Sequence, residues 1–173
     1  MATDRQLMTG LFPDRDSAEQ GYNALAERGY AKDDVNVVMS EDTKKRHFAT
    51  AGEETELGNK AAEGAGIGGA IGGTLGAIAA AVAAVGTTLV LPGLGLIIAG
   101  PLAAAVAGAG AGAASGGIIG ALVGWGIPEE RMKRYDDGIK NGGILMGVRP
   151  RNDEDAAYLE KSWTTNRAQD VYR

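Results

Sequence analysis

The side chains best placed to do chemistry are carboxylates. They cluster at Asp14/Asp16, Asp33/Asp34, Glu53/Glu54/Glu56, Asp136/Asp137 and Asp153/Glu154/Asp155. Paired carboxylates can serve as general acid and base, or can hold a divalent cation. Several of these, however, stand where a helix should begin. There an acid satisfies free N–H groups and complements the helix dipole. Caps and solvated faces account for the clusters, so no catalytic residue is assigned. The single histidine, His47, follows Lys44-Lys45-Arg46, and the chain has no cysteine. Disulfides, thiolate chemistry and zinc sites built on cysteine are excluded, and a histidine metal site is not expected. Gly64-Ala65-Gly66-Ile67-Gly68-Gly69 formally matches G-x-G-x-x-G. A dinucleotide site needs that motif directly after a strand, with an acid about 20 residues on. Here a charged, helix-prone stretch precedes it and Val85 to Leu89 offer no acid. The residues therefore point to a non-enzymatic protein without cofactor or metal. The balance of 17 basic against 22 acidic residues, net −5, gives no basic stripe for nucleic acid.

The elements that would carry these acids lie at the two ends of the chain. Residues 7–12 form a short apolar run that reads as a strand. Pro13 to Ser17 reads as a turn and helix start, with Asp14 or Asp16 as the cap. Ala18, Tyr22, Leu25 and Ala26 recur on one helical face, and Gly29 stops the helix. Val35, Val37 and Met39 then alternate as a strand. The C-terminal end repeats this plan. Ile144 to Arg149 reads as a strand, Pro150 to Asp153 as a turn, and Leu159 and Trp163 lie four apart on a helix. Asp170 to Tyr172 reads as a last edge strand. Gly10-x-x-Pro13 matches Gly147-x-x-Pro150, and Asp16 matches Asp153, at one common offset. Two βαβ units predict an α+β fold, a ferredoxin-like sandwich with two helices on one face of a four-stranded antiparallel sheet. A further helix starts at Pro128, carries Glu129 and Glu130 in its first turn, buries Met132, Tyr135 and Ile139, and ends at Asn141-Gly142-Gly143.

The centre is different in kind. Nineteen of the 28 glycines lie between Gly64 and Gly126, and from Gly64 to Pro128 no residue is charged. Gly64, Gly68, Gly72 and Gly76 are four apart. So are Gly100, Ala104, Gly108, Gly112, Gly116, Gly120 and Gly124. Residues four apart share a helix face, and a face of small residues lets another backbone approach closely. The spacing predicts a helical hairpin with arms of about 25 residues, roughly 37 Å each. Its apolar tip comprises Leu89, Leu91, Pro92, Leu94, Leu96, Ile97 and Ile98, turning at Pro92-Gly93. Four segments follow: 1–40, a first βαβ half; 41–63, a polar acidic linker turning helical near its end; 64–127, the inserted hairpin; and 128–173, a helix plus the second half.

Uncharged arms in water need a cover, because large exposed apolar patches mark interfaces. Two covers suit them: other copies of the hairpin, or a bilayer. The length would span a membrane. Yet large aliphatics are few, the flanks show no basic bias, and only Trp125 resembles an interfacial anchor. Self-assembly into a homo-oligomer or larger particle is the first reading, and membrane lipid is the alternative partner. No small-molecule substrate is implied. The start of the chain leads into no apolar secretory segment, so a cytoplasmic protein is expected, membrane-associated under the alternative.

Residues 7–15, Leu91 to Gly95, Gly100 to Gly124, Gly126 to Glu130 and Gly142 to Val148 together resemble the bacterial general-stress and low-temperature-induced proteins. In that family a heat-induced stress domain is split by a glycine zipper. The resemblance covers most of the chain outside 41–60. It implies a non-enzymatic stress protein, cytoplasmic or membrane-associated, and supplies no catalytic residues.

Overall fold

The computed structural model describes residues 6–48, 78, 88–91, 95–101, 103, 122 and 126–173. In chain order the elements are β1 (Met8–Phe12), α1 (Arg15–Glu27), β2 (Val35–Ser40), α2 (Glu41–Phe48), β3 (Thr88–Leu91), β4 (Leu96–Ala99), α3 (Glu129–Lys140), β5 (Ile144–Val148), α4 (Asp153–Thr165) and β6 (Gln169–Tyr172). The fold is α+β. The strands form one antiparallel sheet in the order β3-β4-β2-β5-β1-β6. β5 lies between β1 and β2, pairing Met8 with Val148 on one side and Val35 with Val148 on the other.

Strand alternation sends side chains to both faces, and both faces are buried. Met8, Phe12, Val35, Val37, Met39, Ile144, Met146 and Val148 form one core with Leu25 of α1 and with Leu159 and Trp163 of α4. Leu11, Val38, Leu96, Ile98 and Leu145 form a second core with Met132, Tyr135 and Ile139 of α3. The sheet is therefore a central layer between two helical layers. That suits the continuous apolar run of β4, Leu96–Ala99, which is buried throughout.

Local chemistry fixes the helices. Asp14 caps α1, its carboxylate accepting from the Ser17 N–H at 2.8 Å. Asn152 caps α4 through the Asp155 N–H at 2.6 Å. Pro128 is the N-cap of α3, so the helix starts at Glu129, one residue later than the sequence indicated. Trp163 is fully buried, meets Phe12 edge-on with ring centroids 5.5 Å apart, and donates from Nε1 to the Gly21 carbonyl at 3.1 Å. Its ring lies where a Cβ on Gly10 would sit, 2.8 Å from Trp163 Cε3, so the glycine makes room for the indole.

Three expectations are corrected. Residues 41–48, read as linker, are the helix α2. Its first turn holds Glu41 and Asp42, and the Ser40 hydroxyl accepts from the Thr43 N–H at 3.0 Å. The apolar tip is no helical turn thrust away from the domain. Leu89 and Leu91 lie in β3, and Leu96, Ile97 and Ile98 lie in β4. β4 pairs along β2 from Val37↔Ala99 to Ser40↔Leu96, and Leu96, Ile97 and Ile98 are buried. Burial on both faces of an existing sheet, with a full ladder of hydrogen bonds, outweighs projection into solvent. Gly100 is not part of a helical small-residue row. It ends β4 at φ +109°, where a Cβ would collide with the Val35 carbonyl and lie 2.9 Å from Asn36 Cα.

Candidate assembly interface

The carboxylates singled out in the sequence are dispersed, and each described cluster has a local role. Asp14 accepts from the Ser17 N–H and hydroxyl and pairs with Arg167 at 2.6 Å. Burial acts to raise its carboxyl, but the Ser17 hydrogen bonds and Arg167 outweigh that and hold it below its ordinary value. Asp16 stands in the first turn of α1. Asp33 and Asp34 lie in a short 3-10 turn, where Asp34 accepts from the Ala31 N–H at 2.9 Å. Asp136 pairs with Lys140 at 2.7 Å. Asp153, Glu154 and Asp155 form the first turn of α4. Glu53, Glu54 and Glu56 lie outside the described residues. Among the described residues no three His, Asp or Glu side chains gather to hold a metal ion.

A polar cluster joins the two halves. Asp155, 6% exposed, accepts from the Tyr30 hydroxyl at 2.9 Å and meets Arg28 at 3.2 Å. The Tyr30 oxygen accepts in turn from the Arg151 N–H at 2.9 Å, and the Arg151 guanidinium lies 4.2 Å above the Tyr30 ring. Burial, foremost, raises the Tyr30 hydroxyl. Every group here is engaged within the chain, which suits a clasp between the end of α1 and the start of α4. A second clasp ties β6 to α3. The Tyr135 hydroxyl donates to the Asp170 carbonyl at 2.7 Å and meets the buried Thr9 hydroxyl at 3.0 Å. Since Tyr135 spends its proton on Asp170, Thr9 is the donor between them.

The uncharged run from Gly64 to Pro128 is described only in part. Gly64, Gly68, Gly72, Gly76, Gly108, Gly112, Gly116, Gly120 and Gly124 lie outside the described residues, as do Pro92 and Leu94. The run meets the folded domain at known points. Ile78 is helical, fully buried in the core under α1 and α4, and its N–H donates to Glu19 Oε2 at 3.2 Å. Glu19 in turn contributes, after burial, to holding the Tyr22 hydroxyl up at about 12. Ala103 and Leu122 are also helical but belong to the core under α3. The run is thus rooted on opposite faces of the sheet, with β3 and β4 between its two parts. Among the described residues no helix is long and apolar enough to cross a membrane.

Sequence reasoning missed Glu19 as an anchor and β3 as a sheet edge. The edge had a signal in the β-branched and leucine content on either side of Pro92-Gly93. Glu19 had none, because its role depends on which helix the run touches. No family model matches the chain, and neither does any curated protein or solved structure.

Proposed function

We propose that this protein is a non-enzymatic, stress-associated structural protein that assembles with copies of itself through the small-residue rows of its uncharged run. The folded domain is read as a ferredoxin-like sandwich. Its strand order β2-β5-β1-β6, with α1 and α4 packed on one face, supports that reading. β3, β4 and α3 are additions to it. The observation that carries the proposal is the mismatch between the run and the domain. The 65 residues from Gly64 to Pro128 hold no charge, while α1, α4 and α3 share both faces of the sheet with only a few described residues of the run, among them Ile78, Ala103 and Leu122. Rows of glycine and alanine four apart offer backbone-to-backbone contact, which suits partners of the same shape.

The test is particle size in detergent-free lysate and after purification. A large, discrete soluble species is expected, and Gly112→Leu with Gly116→Leu should disperse it while leaving the α+β domain folded by circular dichroism. Recovery only in a carbonate-resistant membrane pellet would favour the run lying in a bilayer and sink the assembly reading.

A further inference from the structure

The two edges of the sheet are built differently. The β6 edge carries several devices that discourage strand addition. Its pairing with β1 is irregular between Thr9 and Leu11. Asp170 sits at φ +49° and Arg167 at φ +66°. Arg134 pairs with Asp170 at 2.8 Å, and the Arg131 guanidinium lies 4.6 Å above the Tyr172 ring. The β3 edge shows the opposite character. It is regular, pairing with β4 from Thr88↔Ala99 to Leu91↔Leu96 without a bulge. Its sequence, Thr-Leu-Val-Leu, has no charge or proline, and no charged residue stands within twenty positions on either side. Val90 is the one large apolar side chain exposed among the described residues, at 45%.

Among the described residues no strand pairs with the outer side of β3. A regular edge strand presents a row of backbone N–H and C=O groups that need partners, and the partner that matches them in spacing is another strand. From these observations we infer that β3 pairs antiparallel with β3 of a second copy across a two-fold axis, joining two sheets into one of twelve strands. The occupant follows from complementarity. An uncharged, apolar edge discriminates against charged strands, and a strand related to itself by a two-fold is self-complementary by construction. Such an axis stands perpendicular to the sheet and keeps each residue on its own face. Residues opposite one another must then share a face, so the axis passes through a residue: Val90 meets its counterpart, or Leu89 meets its own with Val90 two positions away. In either register the two Val90 side chains lie on the same face of the continuous sheet. The pairing uses none of the glycine rows, so it goes beyond the assembly proposed above and supplies a second, separate contact.

The absence of cysteine gives a clean test. Val90→Cys introduces the chain's single thiol. Treatment of the dilute full-length protein with a short bis-maleimide should yield a covalent dimer as the main product. Gln169→Cys, on the opposite edge, should remain monomeric on the same gel. The dimer should persist when Val90→Cys is combined with Gly112→Leu and Gly116→Leu, which separates this contact from the glycine rows. Val90→Lys should lower the particle mass measured by light scattering at least two-fold, with the circular dichroism spectrum unchanged. Equal crosslinking at positions 90 and 169 would overturn the inference. So would loss of the crosslink in the glycine variants, or an unaltered mass for Val90→Lys.

Discussion

Gly100→Ala separates two accounts of the uncharged run by the sign of its effect. In a helical small-residue row, alanine for glycine would stabilise the chain by about 1 kcal/mol, because glycine is the poorer helix former. At the end of β4 the consequence reverses. Residue 100 has φ +109°, a backbone region that side chains rarely adopt, and holding alanine there costs about 1–3 kcal/mol. The added Cβ would also run into the Val35 carbonyl, with Asn36 Oδ1 at 2.8 Å and Asn36 Cα at 2.9 Å. Two of those three atoms are backbone of the neighbouring strand and cannot swing aside, so overpacking adds about 1–3 kcal/mol. The total, about 2–6 kcal/mol, is a large part of the 5–15 kcal/mol that holds a typical domain together. Urea titration of the full chain at one fixed protein concentration, followed by circular dichroism, reads the change as a lowered midpoint. Gly95→Ala is the internal reference. Gly95 has φ +62° with nothing within 4 Å of an added Cβ, so it reports backbone strain alone, about 1–2 kcal/mol. A midpoint that rises for Gly100→Ala, or one that falls no further than for Gly95→Ala, would refute the placement of Gly100 against β2.

Three further outcomes follow from the site geometry. Asp14→Ala should destabilise α1 by about 1 kcal/mol at neutral pH. Because the folded Asp14 lies below its ordinary value, the wild-type advantage is present above about pH 4 and disappears as pH falls through the folded value, which paired acid melts would show. Tyr135→Phe should cost about 1–3 kcal/mol by leaving the buried Thr9 hydroxyl without its acceptor, and amide exchange should loosen β6 before the other strands. Tyr22, raised to about 12 chiefly by burial and then by Glu19 and Asp33, favours the folded state fully below pH about 10, and that contribution fades as pH rises toward 12. Melting temperatures across that alkaline range should fall less steeply for Tyr22→Phe.

Both ends of the chain were legible because their signals are local. Val35, Val37 and Met39 alternate, Asp14 and Asn152 cap the helices they precede, and Met132, Tyr135 and Ile139 mark one helical stripe. The sequence did not reveal that α3 covers the second face of the sheet, since a stripe says what is buried and not against what. The stretch from Leu89 to Ile98 was misread for a different reason. A continuous apolar run lacks periodicity, so strand and buried helix look alike in it. Its place beside β2 is decided by pairing with Val37 to Ser40, far away in sequence. The helix α2 was legible in principle, with Ser40 as its cap, Glu41 and Asp42 at its start and Lys45 to His47 at its end. It was overlooked because its residues offer almost no apolar face. The small-residue spacing is a feature of the sequence whose glycines, Gly100 apart, lie outside the described residues, whereas the anchoring of the run through Ile78, Ala103 and Leu122 on opposite faces depends on the tertiary fold.

The pairing of Met8 with Val148 and of Val35 with Val148 bears on how the chain is made. β5 is the middle member of the three strands that open and close the domain, and it is translated after the whole uncharged run. Until it leaves the ribosome, β1 and β2 have no strand between them and the core cannot close. The glycine-rich stretch is therefore made before the sheet that its described residues join can be completed. Contacts so distant in sequence make folding slow, because loop closure precedes any gain from pairing. Closing the core of this chain therefore waits on a strand made after its least polar segment.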